Sequence, residues 1–140
     1  MTKKGSPGFT LMELILALSV MAILLVIAWP VIGQFSSGYR LRAAAREVAT
    51  DLQFTRLLAV KENKDFQVSF AGSSYQVTRV SDGFVAKNRD FNSDFAGITL
   101  TSSSVTFNSR GNASTRTITV SNLLGTRNIT VGSTGRVKLQ

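Results

Sequence analysis

The chain contains no cysteine and no histidine among its 140 residues. Without cysteine no disulfide can staple a small domain, and no thiol chemistry is available. Without histidine the commonest general base and the commonest metal ligand are both missing. An enzyme built from this chain would need an Asp/Glu or Ser/Lys site, and no spacing suggests one. The sequence therefore predicts no catalytic residues, no metal ligands and no cofactor. Acidic residues are also scarce, 8 against 16 lysines and arginines, for a formal net charge of +8. The scarcity is uneven. From Phe95 to Gln140 there is no carboxylate side chain, while Arg110, Arg116, Arg127, Arg136 and Lys138 all lie there. A one-signed field of this kind favours anionic partners such as nucleic acid, lipid headgroups or an acidic protein face.

What the chain does have is concentrated at its start. Lys3 and Lys4 lead into Gly-Ser-Pro-Gly at 5–8 and Phe-Thr-Leu-Met-Glu at 9–13, and an uncharged apolar run follows from Leu14 to Ile32. About 20 helical residues at 1.5 Å each span a ~30 Å hydrocarbon core, so this run is long enough to cross a bilayer. Glu13 stands at its mouth. A charge at the centre of a membrane helix costs roughly 2.5–3.5 kcal/mol, and such residues usually have a job. A secretory signal peptide places its apolar stretch before a small-residue cleavage site. Here the small residue, Gly8, comes first, so cleavage there would leave the anchor on the mature protein. Charge counting leaves the orientation open, because Lys3 and Lys4 precede the run while Arg40, Arg42 and Arg46 follow it.

Gly8, Phe9, Thr10, Leu11, Glu13 and the apolar run behind them resemble a type IV prepilin leader. The resemblance implies a leader of residues 1–8, cut between Gly8 and Phe9 by a membrane-embedded prepilin peptidase that then methylates the new amine of Phe9. Glu13 stands where the family keeps its glutamate, and Pro30 where many pilins have proline. The resemblance also implies that Glu13 of one subunit pairs with the Phe9 amine of the next, which would set the register of a filament. An intramolecular pair between the two groups is the alternative. Small residues at Ala17, Ser19, Ala22 and Ala28 would allow close helix approach, or would be ordinary filler of a membrane segment.

Residues 9 to about 62 read as one long helix. A membrane and assembly half spans 9–33 and an amphipathic half 34–62. Pro30, Gly33, Ser36, Ser37 and Gly38 predict a kink or a short melted stretch around 30–38. Beyond it Leu41, Ala45, Val48, Leu52, Thr55 and Ala59 recur at three and four, a stripe ready to lie on a sheet. Arg46, Glu47 and Asp51 are expected to pair locally on other faces. From Asp65 the period changes to two. Strands are predicted at 66–70 and 75–80, then near 98–101, 104–109, 116–121, 127–131 and 136–139, with a polar loop over 87–97. The fold class expected is α+β: a long helix packed on one or two small antiparallel sheets, with a globular β domain over 63–140. That domain, about 80 residues, is near the size at which a core is marginal alone.

The order Phe107-Asn-Ser-Arg-Gly111, Thr117-Ile-Thr-Val120, Arg127-Asn-Ile-Thr-Val131 and Gly135-Arg-Val-Lys138 is similar to the GspH/FimT pseudopilins. In some minor pilins of that kind a Gly-Arg-x-Arg tail binds DNA during natural transformation. Lysine replaces the second arginine here. Alternation would put Arg136 and Lys138 on one strand face. With Arg110, Arg116 and Arg127 they form the candidate DNA or anion site, and a solvated basic strand is the plainer reading. No aromatic residue interleaves at the tail, so base stacking is unsupported. Asn112-Ala-Ser and Asn128-Ile-Thr match the glycosylation pattern, which a prokaryotic leader makes coincidental. Asp82, Asp90 and Asp94 fit no known cation loop.

These observations imply a minor pilin or pseudopilin of an inner-membrane-rooted filament, serving type II secretion or a type IV pilus. The alternative is a DNA-binding minor pilin for DNA uptake. The expected partners are other pilins or pseudopilins, the prepilin peptidase, the inner membrane and, in the alternative, DNA. The expected location is the bacterial inner membrane, crossed once, with the globular domain in the periplasm.

Overall fold

The structure is a computed structural model that describes residues 9–140, with the side chains of all but 28–35. The chain divides between Ser36 and Ser37 into two units. One helix, α1 (Leu11–Glu62), runs unbroken through 52 residues. The melted stretch expected around 30–38 does not form. A proline removes one N–H donor, and the helix carries on where the bonds on either side hold.

In the first unit, the described side chains from Leu11 to Ile27 are exposed on every face of the helix. Among the described residues no helix is long and apolar enough to cross a membrane. The predicted run extends to Ile32, and its side chains beyond Ile27 lie outside the described residues.

In the second unit α1 supplies the stripe that the spacing predicts. Leu41, Ala45, Val48, Leu52, Thr55 and Ala59 are buried, and Ala44 joins them. The Thr55 hydroxyl is accommodated there by donating to the Asp51 carbonyl at 2.7 Å. The helix ends at Asn63, whose positive φ of 51° lets the Lys64 N–H reach back to the Ala59 carbonyl at 3.1 Å.

Eight strands follow: β1 (Phe66–Ala71), β2 (Ser74–Arg79), β3 (Val85–Asp90), β4 (Thr99–Thr101), β5 (Val105–Phe107), β6 (Arg116–Asn122), β7 (Gly125–Val131) and β8 (Val137–Leu139). They form two four-stranded sheets, ordered β3-β2-β1-β5 and β4-β6-β7-β8, with every pairing antiparallel. The period of two sends Phe66 and Val68, Tyr75 and Val77, Val105 and Phe107, Ile118 and Val120, and Ile129 and Val131 into the core. Fully burying a side chain of this size contributes about 1.5–3 kcal/mol, which makes these ten the main support of a small domain.

β3 corrects the polar loop expected over 87–97. Its sequence, Val-Ala-Lys-Asn-Arg-Asp, shows no apolar alternation. The strand pairs with β2 and is also tied to α1 by charge. Lys87 Nζ donates to Asp51 Oδ1 at 2.7 Å, and Arg89 Nε to Glu47 Oε1 at 2.6 Å. Arg89 also pairs with Asp94 at 2.6 Å. Asp51 and Glu47 therefore bind across to the sheet, not to neighbours on the helix as predicted. The buried Tyr75 hydroxyl donates to Asp51 Oδ2. Burial, and then that hydrogen bond to a carboxylate, push the Tyr75 hydroxyl pKa upward. Phe91 closes the strand as a fully buried ring, edge-on to Tyr75 and Phe95.

Candidate functional site

At the start of α1, Phe9 is exposed, and Thr10 and Glu13 bond to each other reciprocally. The Thr10 N–H donates to Glu13 Oε2 at 3.2 Å, and the Glu13 N–H donates to Thr10 Oγ1 at 3.2 Å. This is a capping box, in which Thr-x-x-Glu satisfies two of the donors that a helix start leaves without partners. The carboxylate beside the positive end of the helix is favourable for the same reason. Sequence reasoning assigned Glu13 to pairing with the Phe9 amine and missed this second role, although the Thr-x-x-Glu spacing announces it.

At the other end of the helix two turns meet. One is Asn108–Gly111, closed by the Gly111 N–H on the Asn108 carbonyl at 2.8 Å. The other is Gly132–Gly135, closed by the Gly135 N–H on the Gly132 carbonyl at 2.9 Å. Arg56 Nε reaches the Gly111 carbonyl at 3.0 Å. Gly135 packs so closely on that carbonyl that a Cβ would overlap the oxygen, and it would also stand 2.9 Å from Arg56 Nε. Gly135 also has φ +73°, which side chains other than hydrogen rarely tolerate. Beside these turns Phe54, Leu57, Val60, Gly135, Arg136 and Val137 help line a groove of about 840 Å³. Phe54, Leu57 and Val60 are exposed there at helical spacing.

The five basic residues predicted as one site stand in different places. Arg110 is exposed in the first of the two turns, and Arg116 is exposed at the start of β6. Arg136 lines the groove beside α1. Lys138 pairs with Thr130, whose side of β7 is opposite to that of the buried Ile129 and Val131. Arg127 shares the side of Ile129 and Val131, and joins Arg42 and Arg46 of α1 around a recess of about 260 Å³. The helix arginines were not part of the predicted patch, because nothing in the sequence brings 42 and 46 to 127. Among the described residues none of these basic groups takes part in an ion pair.

Asp82, Asp90 and Asp94 are not gathered. Asp82 pairs with Arg79, Asp94 with Arg89, and Asp90 accepts from the Asn92 N–H at 2.9 Å. Among the described residues no group of three or more carboxylates could hold a metal ion.

A sequence model described as "Type II transport protein GspH" matches residues 44–135, well over half of the 140. The chain belongs to the GspH family. A second model, the prokaryotic N-terminal methylation motif, matches residues 3–29. The fold agrees. The crystal structure of the type IV minor pilin FimU of Pseudomonas aeruginosa superposes with a TM-score of 0.63 at 22% identity, over 76% of this chain and 92% of that one. The minor pseudopilin EpsH of the Vibrio cholerae type 2 secretion system superposes with a TM-score of 0.60 at 13% identity, over 72% and 96%. No curated protein sequence matches the chain. This GspH-family protein is thus a pilin-like subunit of the minor pilin or pseudopilin kind, with an N-terminal helix on antiparallel sheets. The methylation motif covers Gly8, Phe9 and Glu13, and the GspH match covers the meeting turns of Gly111 and Gly135.

Proposed function

We propose that this GspH-family protein is cut between Gly8 and Phe9, N-methylated on Phe9, and anchored once in the bacterial inner membrane with its globular unit in the periplasm. It then leaves the bilayer to become a minor subunit of a filament serving type II secretion or a type IV pilus. The observation that carries this is the helix from Leu11 to Ile27, whose large apolar side chains are exposed on all sides. A helix apolar all round belongs in a membrane or among other helices, and a filament subunit uses both surroundings in turn. The groove beside Phe54, Leu57 and Val60 supports the same reading, because a neighbouring subunit would cover it. In the assembled filament Glu13 exchanges its own Thr10 for the Phe9 amine of the next subunit. Intact mass of the membrane-extracted protein tests the processing. The expected mass starts at Phe9 and carries one extra methyl. A mature chain that keeps Lys3 and Lys4 while the peptidase is present would reject the assignment.

Capture of DNA for uptake is the second reading. Arg110, Arg116, Arg136 and Lys138 favour it, since they are exposed and make no ion pair among the described residues. If they hold duplex DNA, affinity should fall by about 0.9 log unit per log unit of salt for each phosphate neutralised. Arg136→Ala with Lys138→Ala should remove about two contacts' worth of slope. Mobility shifts at two salt concentrations give the answer. Binding unchanged in the double variant, or none at low salt, would leave these residues as solvated surface.

A further inference from the structure

The hairpin turn between β6 and β7 is Leu123-Leu124, and both leucines face solvent, Leu123 completely. A two-leucine tip is costly to leave in water, at about 25 cal/mol for each Å² of apolar surface. The tip is not free to swing. Asn122 Nδ2 donates to the Ser37 carbonyl of α1 at 2.9 Å, and the Asn122 side chain also receives the Leu124 N–H at 2.9 Å. Ser37 follows closely on Ile32, where the apolar run ends. On the same stretch of helix Tyr39, Arg42 and Arg46 fall on one stripe by their spacing of three and four, and Tyr39 is exposed. Arg42 and Arg46 line the recess that Arg127 enters from β7, the strand that follows the leucine tip. Among the described residues no carboxylate lines that recess.

We propose that this end of the globular unit docks on the surface of an anionic phospholipid bilayer before assembly. Leu123 and Leu124 enter the headgroup and acyl boundary. Tyr39 lies at the interface with its ring apolar side in and its hydroxyl out. Arg42, Arg46 and Arg127 hold a lipid phosphate in their recess. Each element has the chemistry of an interfacial segment: apolar tip, amphipathic ring, cations at phosphate height. Lipid is favoured over DNA because the cations share this end with an apolar tip that nucleic acid would leave exposed. The inference rests on the membrane-anchored reading above.

The chain lacks cysteine, so Leu123→Cys offers one site for an environment-sensitive fluorophore in the full-length protein. The labelled protein is reconstituted in vesicles of phosphatidylcholine alone, or of phosphatidylcholine with phosphatidylglycerol. Blue-shifted emission and quenching by nitroxide-bearing lipid are expected in the anionic vesicles. The same label at Ser133, in the turn beside Arg56 at the other end of the helix, should report water in both. Each arginine should shift the docked-to-undocked ratio about fivefold, so Arg42→Gln, Arg46→Gln and Arg127→Gln together shift it roughly hundredfold. Molar salt, where the screening length falls to about 3 Å, should release the wild-type tip without any substitution. A label at 123 that reports water in anionic vesicles, while the protein resists alkaline carbonate extraction, would overturn the docking and spare the anchor. Loss of the protein to carbonate would overturn both. Equal burial in neutral and anionic vesicles, or release by duplex DNA in place of salt, would overturn the phosphate recess.

Discussion

Gly135→Ala should destabilise the globular unit by about 2–5 kcal/mol, up to half or more of the stability of a domain this size. Two costs add. A left-handed φ costs a residue with a Cβ about 1–2 kcal/mol. The new methyl would also overlap the Gly111 carbonyl oxygen, which is backbone and is already engaged by Arg56 Nε. Overpacking that forces backbone to move costs roughly 1–3 kcal/mol, occasionally more. Two other glycines calibrate the result. Gly83 has φ +72° but nothing within 4 Å of a Cβ, so Gly83→Ala should show the backbone cost alone. Gly111 has φ +78°, and its Cβ would meet Val60 Cγ2 at 3.1 Å and Arg56 Nε at 3.2 Å, both on side chains that can yield. The expected order of damage is Gly135, then Gly111, then Gly83. Urea denaturation of a chain shortened to begin at Gln34, which keeps every buried core residue among those described, measures it. If Gly135→Ala unfolds at the same urea concentration as Gly83→Ala, the two turns do not meet as described.

This result would also reassign the Gly-Arg-x-Lys tail. Its glycine is required by the approach of one turn to another, whatever Arg136 and Lys138 bind. The resemblance at 107–111 and 135–138 then reflects the joint at Arg56, where the two motifs touch.

Much of the fold is legible in the sequence, because one face of each element is buried and the other is not. The stripe from Leu41 to Ala59 and the alternations at Phe66–Phe70, Thr117–Val120 and Asn128–Val131 each follow from that one-sidedness. β3 is illegible for the opposite reason. Its Lys87 and Arg89 meet carboxylates 36 and 42 residues away, so nothing in its own window says strand. The aromatic Phe91 and Phe95 were the only local hint that 87–97 is more than a polar loop. The recess of Arg42, Arg46 and Arg127 is hidden in the same way, since like charges brought together by a fold leave no pattern along a chain. Glu13 is a different case. Its capping partner is legible three residues upstream, in the Thr-x-x-Glu spacing.

Glu13 thus has two claims on it, and substitution separates them. Glu13→Ala loses both cap and charge. Glu13→Gln keeps a side-chain acceptor for the Thr10 N–H and loses only the charge. Thr10→Ala keeps the charge and loses half of the box. Loss of a cap costs about 1 kcal/mol and frays one helix end. An ammonium left without its counter-charge in hydrocarbon costs roughly 2.5–3.5 kcal/mol, on the order of a hundredfold. If Glu13 pairs with the Phe9 amine of the next subunit, Ala and Gln should both enter filaments on the order of a hundredfold less than wild type. Thr10→Ala should stay within about fivefold of it, the weight of one lost cap. Membrane insertion should be equal or better for Ala and Gln, because each removes an intramembrane charge. Membrane fractionation with co-purification of partner pilins reads both quantities. Near-normal incorporation of Glu13→Gln, together with poor incorporation of Thr10→Ala, would make Glu13 a helix cap and reject its role in filament register.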